Sequence, residues 1–346
     1  MADGVGGSDS ETITVTVNEI NIPPVLGAVG NQTTDELVLL TFTATATDVD
    51  LPANTLTFSL SGEPAGASID PNTGVFTWTP SEAQGPNSYT FDVIVTDDGA
   101  GTLTDSETIT VTVNEANVAP VLNGIGDQTT DELALLTFTA TATDADLPAN
   151  TLTYSLSGEP AGASIDPITG VFTWTPTEAQ GPNVYTFDVV VTDGGAPPLT
   201  DSQTVTITVT EVNLAPTIGA IAPQTIDELN TLTFSIPVSD PDIPGNIHTF
   251  TLSGSPAGAS LDPVTGVFSW TPTEAQGPGV YVFDVVVVDD GAPSLGDTQA
   301  VTVTVNEVNE APVVVDPGDQ ASAEADVVSL FIAASDADIP FDTLVY

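Results

Sequence analysis

The chain of 346 residues has no lysine, no arginine and no cysteine, and a single histidine and a single methionine. Without cationic side chains it has nothing to neutralise phosphates, so a nucleic-acid-binding function is not expected. Anionic membrane surfaces repel it for the same reason. No lysine can form a Schiff base or sit in a phosphate loop, and no arginine can clamp a carboxylate. The missing cysteine removes thiolate catalysis, thiolate metal sites and disulfides. No run of 18 apolar residues occurs, so no membrane insertion is expected. Met1-Ala2-Asp3-Gly4 carries neither the basic nor the apolar stretch of a signal peptide, and the sequence reads as an interior piece of a longer protein.

What is present is acid. The 48 aspartates and glutamates give a net charge of −48, yet charged residues make up only 14% of the chain. Acids at that share are ordinary, so the charge comes from the missing cations. Hydrophobic residues reach 40% and the mean hydropathy is +0.19, enough apolar side chain for a core and against disorder.

Internal repetition dominates the sequence. Trp78, Trp174 and Trp270 recur at steps of 96, as do Pro24, Pro120, Pro216 and Pro312. The expected division is a closing strand of a preceding repeat at 1–21, full repeats at 22–117, 118–213 and 214–309, and the opening of a further repeat at 310–346. The first two full repeats differ at 21 of 96 positions with no gap, so one fold is used several times.

Within a repeat the hydrophobic period is two. Thr137-Phe138-Thr139-Ala140-Thr141-Ala142-Thr143 and Thr204-Val205-Thr206-Ile207-Thr208-Val209-Thr210 alternate strictly, which predicts half-buried strands. In the second repeat strands are expected at 120–125, 135–143, 151–157, 163–165, 170–175, 184–192 and 203–210, punctuated by Gly and Pro turns. The fold class is therefore all-β, tandem immunoglobulin-like seven-stranded β-sandwiches. Phe172, Trp174, Tyr185 and Phe187 are the expected large core residues.

Each repeat carries Asp-x-Asp after its second strand: Asp48 and Asp50, Asp144 and Asp146, Asp240 and Asp242, Asp336 and Asp338. Both carboxylates are expected on the side of the neighbouring threonines. Two acids so close repel unless a cation lies between them, and hard oxygen donors suit Ca²⁺. Solvation or turn capping is the alternative; a salt bridge is not available. A catalytic carboxylate pair needs two unlike environments, whereas this motif recurs in nearly constant surroundings, so no enzyme activity is expected. His248 stands where the other repeats have Leu56 and Leu152, and reads as a partly buried strand residue.

Ala140-Thr141-Ala142-Thr143-Asp144-Ala145-Asp146 followed by Asn150 and Leu152-Thr153-Tyr154-Ser155-Leu156 resembles the cadherin pattern of Asp-x-Asp before a Tyr-Ser-Leu strand. Ile165-Asp166-Pro167-Ile168-Thr169-Gly170, Val191-Thr192-Asp193-Gly194-Gly195 and the closing Thr208-Val209-Thr210-Glu211-Val212-Asn213-Leu214-Ala215-Pro216 are similar to further cadherin motifs, in the same order. The chain as a whole resembles the dystroglycan-type cadherin-like repeats of bacterial surface proteins.

That resemblance implies Ca²⁺ between consecutive repeats, held by both and by the linker. At the junction of the first and second full repeats it implies Glu36, Glu82, Asn114, Asn117, Asp144, Asp146 and Asp193. At the next it implies Glu132, Glu178, Asn213, Asp240, Asp242 and Asp289, and at the third Glu228, Glu274, Asn306, Asn309, Asp336 and Asp338. Before the first full repeat, Asn18 and Asn21 would meet Asp48, Asp50 and Asp97. The linker Asn114-Glu115-Ala116-Asn117 is poorer in aspartate than cadherin linkers, so about two ions per junction and weak, extracellular-type affinity are expected.

The expected function is a structural or adhesive repeat region of a secreted or cell-surface protein, an extended stalk made rigid by Ca²⁺. The expected partners are Ca²⁺ and neighbouring repeats, with other copies or a cell-surface or glycan target reached through domains outside this chain. A segment of a self-assembling extracellular filament and a spacer in a large secreted enzyme are the alternative readings.

Overall fold

The computed structural model describes residues 9–336 and 338. Of the expected terminal segments, residues 1–8, 337 and 339–346 lie outside the described residues.

In the first full repeat the strands are β1 (Val25–Leu26), β2 (Gln32–Asp35), β3 (Leu40–Thr43), β4 (Ala46–Thr47), β5 (Thr57–Ser61), β6 (Ser68–Ile69), β7 (Val75–Trp78), β8 (Asn87–Thr96) and β9 (Thr104–Asn114). One sheet runs β2-β9-β8-β5, a second runs β3-β7-β6, and β1 pairs with β4. Only β2 pairs in parallel, setting Gln32 opposite Val111 on β9. The second repeat has the same nine segments from Val121–Leu122 to Thr200–Thr210, and the third from Thr217–Ile218 to Gly296–Asn306. The protein is all-β, three tandem sandwiches.

Counting β3 with β4 and setting β2 aside recovers the seven expected strands, but the boundaries moved for a physical reason. The expected strand 135–143 is two pieces, Leu136–Thr139 and Ala142–Thr143. The first piece pairs with Val171–Trp174 and the second with Val121–Leu122. The switch falls at Ala140, which is 1% exposed and donates its N–H to the Gly170 carbonyl. Gly170 has φ +67°, and a Cβ there would come within 2.3 Å of the Ala140 oxygen, so glycine is required. The segment Gln128–Asp131 pairs in parallel with Ile207–Thr210 and was not expected, because Gln-Thr-Thr-Asp offers no apolar alternation.

Both sheets fill one core per repeat. In the second it holds Phe172, Trp174, Phe187, Val189, Val191, Val205, Ile207 and Val209, all 3% exposed or less. Phe138 stacks on Phe172 with centroids 4.5 Å apart, and Trp174 meets Tyr185 edge-on at 5.0 Å. Tyr185 is only half buried, since its hydroxyl reaches out to the Gln180 carbonyl at 2.9 Å.

Candidate metal centres at the repeat junctions

Glu36 follows β2 directly. Its N–H donates to the Asn114 carbonyl at 3.0 Å, extending the parallel ladder one residue past the strand. Leu37 then takes φ 58°, and Leu133 and Leu229 do the same at 59° and 62°. A left-handed conformation in a leucine costs on the order of 1–2 kcal/mol, and here it lies beside a buried acid in every full repeat. The carboxylate is turned inward: Glu36 is 0% exposed, and Glu132 and Glu228 are each 1% exposed. Glycine makes the space. A Cβ on Gly85 would fall 2.0 Å from Glu36 Oε2, and one on Gly181 2.2 Å from Glu132 Oε2.

One oxygen of each buried glutamate is satisfied by the linker. Oε1 accepts from Ala116 N at 3.2 Å in the first case, Val212 N at 2.9 Å in the second and Val308 N at 2.9 Å in the third. The other oxygen, Oε2 of Glu36, Glu132 and Glu228, is buried with no partner. An ionised oxygen in that state is costly unless something outside the chain neutralises it.

Two more carboxylates converge on each. Glu82 opens the short 3₁₀ turn Glu82–Gln84, held by Gln84 N on the Ser81 carbonyl at 2.8 Å and by Gln84 Oε1 on Ser81 N at 2.9 Å. Glu115 comes from the linker. Ligand oxygens of Glu36, Glu82 and Glu115 lie within 4.8 Å of one another, as do those of Glu132, Glu178 and Glu211, and those of Glu228, Glu274 and Glu307. Oxygens sharing one Ca²⁺ at 2.3–2.6 Å can be no farther apart than about 5 Å, so the spacing fits the ion. Crowding shows in the acidities. Burial, then the charges of Glu36, Glu82 and Asp146, push Glu115 up to about 7. Burial, then Glu132, Glu178 and Asp242, do the same to Glu211.

The following repeat presents its aspartates to the same place. Asp146, 1% exposed, accepts from Val118 N at 3.0 Å, and its own N–H donates to Asp144 Oδ1 at 3.0 Å. Asp144 Oδ2 is buried without a partner, as is Asp48 Oδ2. These pairs face inward, in register with Ala140 and Ala142 rather than with the threonines as expected: Thr141 and Thr143 are exposed while Asp146 is buried. Simple parity accounts for it, since 144 and 146 share the even positions of the buried Ala140 and the half-buried Ala142.

Asn117 Nδ2 donates to Asp193 Oδ2 at 3.1 Å, and Asn213 Nδ2 to Asp289 Oδ2 at 3.0 Å. Asp193 Oδ1 in turn accepts from Gly195 N and Leu199 N at 2.9 and 3.1 Å. Burial raises Asp193, but these bonds outweigh it and hold the carboxyl below its usual range. Asn21 meets Asp97 in the same way at 3.1 Å, and Ile22 N meets Asp50 at 3.0 Å. Asp338 accepts from Glu310 N at 2.9 Å and its N–H donates to Asp336 Oδ1 at 3.2 Å. A cavity of about 410 Å³ opens at the first of these junctions, lined by Glu115, Asn117 and Asn150 among others.

The remaining expected ligands make other bonds, although Asn114 also lines that cavity. The amide nitrogens of Asn114 and Asn306 donate to Asp35 and Asp227 at 2.9 Å, because both asparagines end the strand that pairs with those aspartates. Asn309 Nδ2 donates to the Glu310 carbonyl at 3.2 Å, and Asn18 is exposed. Conversely, Glu115, Glu211 and Glu307 were missed, although a glutamate recurs at that step in every linker. Asn150 was missed as an organiser; its Nδ2 donates to Asn117 Oδ1 at 2.9 Å and also to Asp146. His248 was read as a strand residue, yet it lies before the strand Thr249–Ser253 with Nε2 2.8 Å from Asp240 Oδ2.

Comparison with known proteins agrees with this architecture. A family model described as "Putative Ig domain" matches residues 23–114, 119–210 and 215–306. Protocadherin-16 of Rattus norvegicus is 30% identical over 289 residues, 78% of this chain and 9% of that protein. Protocadherin Fat 4 of Mus musculus is 28% identical over 285 residues, 77% of this chain and 6% of that protein. The chain thus spans less than a tenth of the length of these relatives. Among solved structures, protocadherin gamma B2 extracellular cadherin domains 1–5 superpose with a TM-score of 0.52 at 20% identity, covering 85% of this chain and 62% of that one. The protocadherin gammaB7 EC3-6 cis-dimer structure gives 0.50 at 22%, covering 92% and 84%. At such identities the likeness is one of fold. With three matched repeats spanning well over half of its length, the chain belongs to the "Putative Ig domain" family, as tandem repeats of cadherin-like fold.

Proposed function

We propose that this chain is the structural, adhesive repeat region of a secreted or cell-surface protein, an extended stalk whose junctions are made rigid by Ca²⁺. The observation that carries the reading is the buried, partnerless Oε2 of Glu36, Glu132 and Glu228 in a chain without lysine or arginine. The counter-charge has to come from solution. At the first full junction the donors are Glu36, Glu82 and Glu115 from above and Asp144, Asp146 and Asp193 from below, with Asn117 between. The second uses Glu132, Glu178, Glu211, Asn213, Asp240, Asp242 and Asp289. At the third, Glu228, Glu274 and Glu307 face Asp336 and Asp338.

An ion held by both repeats and the linker removes the repulsion between them and fixes their relative orientation. The partners follow: Ca²⁺, the adjoining repeats, and an adhesion target reached through other parts of a longer protein. Repeat boundaries at 22–117, 118–213 and 214–309 put each linker at the end of a repeat, between its last strand and the next ion site.

Small-angle scattering of the full chain, in chelator and in millimolar calcium, tests the stalk. Calcium should narrow the spread of end-to-end distances and lengthen the maximum dimension. Identical profiles in the two buffers would refute rigidification.

A further inference from the structure

The two ends of each linker are held by different chemistry. Toward the following repeat the bonds run through side-chain amides. Asn117 Nδ2 donates to Asp193 Oδ2 at 3.1 Å and to the Pro197 carbonyl at 2.9 Å. Asn150 Nδ2 donates to Asn117 Oδ1 at 2.9 Å and to Asp146 Oδ2, while Asp146 Oδ1 accepts from Val118 N at 3.0 Å. Asn213, Asn246 and Leu214 repeat the arrangement on Asp289, Pro293 and Asp242. Glycine lets the clasp close: a Cβ on Gly195 would fall 1.6 Å from Asn117 Oδ1, and one on Gly291 1.6 Å from Asn213 Oδ1. Every donor and acceptor belongs to the chain, and both oxygens of Asp146 and of Asp193 have N–H partners.

A third copy of the clasp stands ahead of the first full repeat. Asn54 Nδ2 donates to Asn21 Oδ1 at 2.8 Å and to Asp50 Oδ2 at 3.1 Å, and Asn21 Nδ2 donates to Asp97 at 3.1 Å. Residues 9–20 before it form no strand, and Ile13, Val15 and Val17 are 78%, 77% and 88% exposed. The clasp therefore closes without a folded repeat packed on its other side. Toward the preceding repeat a linker depends on glutamates instead. Ala116 N donates to Glu36 Oε1 at 3.2 Å and Leu147 N to Glu82 Oε1 at 2.9 Å. Those two carboxylates crowd against Glu115 and each keeps a buried oxygen without a partner. Like charges so close repel unless a cation is supplied, so these bonds are the first to open.

We propose that Asn150 and Asn246 are positioning residues that fasten each linker to the repeat that follows it, so that the chelated chain bends only at Glu115 and Ala116 and at Glu211 and Val212. These pairs lie between the last strand residues, Asn114 and Thr210, and the clasped Asn117 and Asn213. The inference rests on reading the junctions as calcium sites and says which half the ion has to fix. Calcium meets aspartates already set in place by amides, and closes a two-residue hinge by bringing in the glutamates.

Hydrogen exchange of the full chain, read residue by residue by mass spectrometry in chelator and in millimolar calcium, tests this. In chelator the amides of Ala116 and Leu147 should exchange at least about tenfold faster than that of Val118, and calcium should slow them to match. Asn150→Ala removes both bonds of its amide, and in chelator it should speed Val118 by about tenfold, to the Ala116 rate. The Ala140 and Tyr154 amides, bonded to Gly170 and Pro167 inside the second repeat, should keep their rates, which a general loosening of that repeat would not allow. Ala116 and Val118 exchanging alike in chelator, or a Val118 indifferent to Asn150→Ala, would overturn the proposal. The two readings fail separately. The expected split in chelator with no response to calcium would sink the calcium stalk alone; amides all fast in chelator and all slow in calcium would sink the clasp alone.

Discussion

The backbone amide of Leu147 donates to Glu82 Oε1 at 2.9 Å, so a carboxylate of one repeat is held by the next. Ile243 and Glu178 do the same at 3.1 Å one junction later. In both glutamates the second oxygen, Oε2, is buried without a partner. One oxygen thus anchors the neighbouring repeat while the other has no hydrogen-bond partner.

Glu82→Gln keeps an acceptor for Leu147 and removes the charge. Calcium affinity at that junction should fall at least about tenfold, ~1.4 kcal/mol, by calorimetry. In chelator the variant should melt no lower than the parent, because burial and the neighbouring acids Glu36 and Asp146 already hold Glu82 above its ordinary range, despite the opposing Leu147 bond. A lowered melting temperature in chelator would mean that the charge itself stabilises the ion-free junction.

Gly181→Ala puts a methyl group 2.2 Å from Glu132 Oε2. Glu132 must move, and overpacking of this kind costs about 1–3 kcal/mol. Calcium binding should be lost at the second full junction and kept at the first. Differential scanning calorimetry against calcium concentration separates the two effects, and an unchanged calcium response would show that Glu132 is not a ligand.

Much of this organisation could be read from the sequence. The 96-residue step, the alternating strands and the Asp-x-Asp pairs all register as periodicity, and Phe172, Trp174 and Phe187 are core because they sit in that period. Features outside the period did not register. Gln128–Asp131 is a strand through backbone pairing to Ile207–Thr210, not through its side chains. Glu115 is placed by where the last strand stops, which no local pattern marks. His248 reaches an aspartate eight residues away, across a turn, and only the folded turn brings Nε2 to Asp240.

Acidity gives a third test. Glu115 and Glu211 titrate at about 7 in the folded chain, against a model-peptide value of 4.5. A raised carboxyl destabilises the fold progressively as pH climbs from 4.5, and the penalty is complete above about 7. Asp70, Asp166 and Asp262 run the other way. Backbone N–H bonds, first from Thr73, Thr169 and Thr265, hold them below 3.8, so their contribution is present above 3.8 and is lost as pH falls through the folded values. In chelator the melting temperature should therefore peak at mildly acidic pH and decline toward neutrality. In calcium the decline should vanish, because the ion takes the charges, and calcium affinity should weaken as pH drops through about 7. A chelated protein most stable at pH 7–8 would contradict this.

Phe172→Ala separates the fold from the junctions. The side chain is 0% exposed and stacked between Phe138 and Phe187. Truncation should cost about 3–5 kcal/mol. Because each repeat has its own core, the loss should show as a separate early transition for the second repeat, leaving the first and third near their original melting temperatures. A single cooperative transition shifted as a whole would mean that the repeats fold as one unit.

Calcium titration of the full chain by isothermal calorimetry bears most directly on the central claim. The buried oxygens of Glu36, Glu132 and Glu228 require saturable binding within the millimolar range, at about two ions per junction, abolished at the first full junction by Glu36→Gln. No saturable heat up to several millimolar calcium, or binding unaltered by Glu36→Gln, would contradict it.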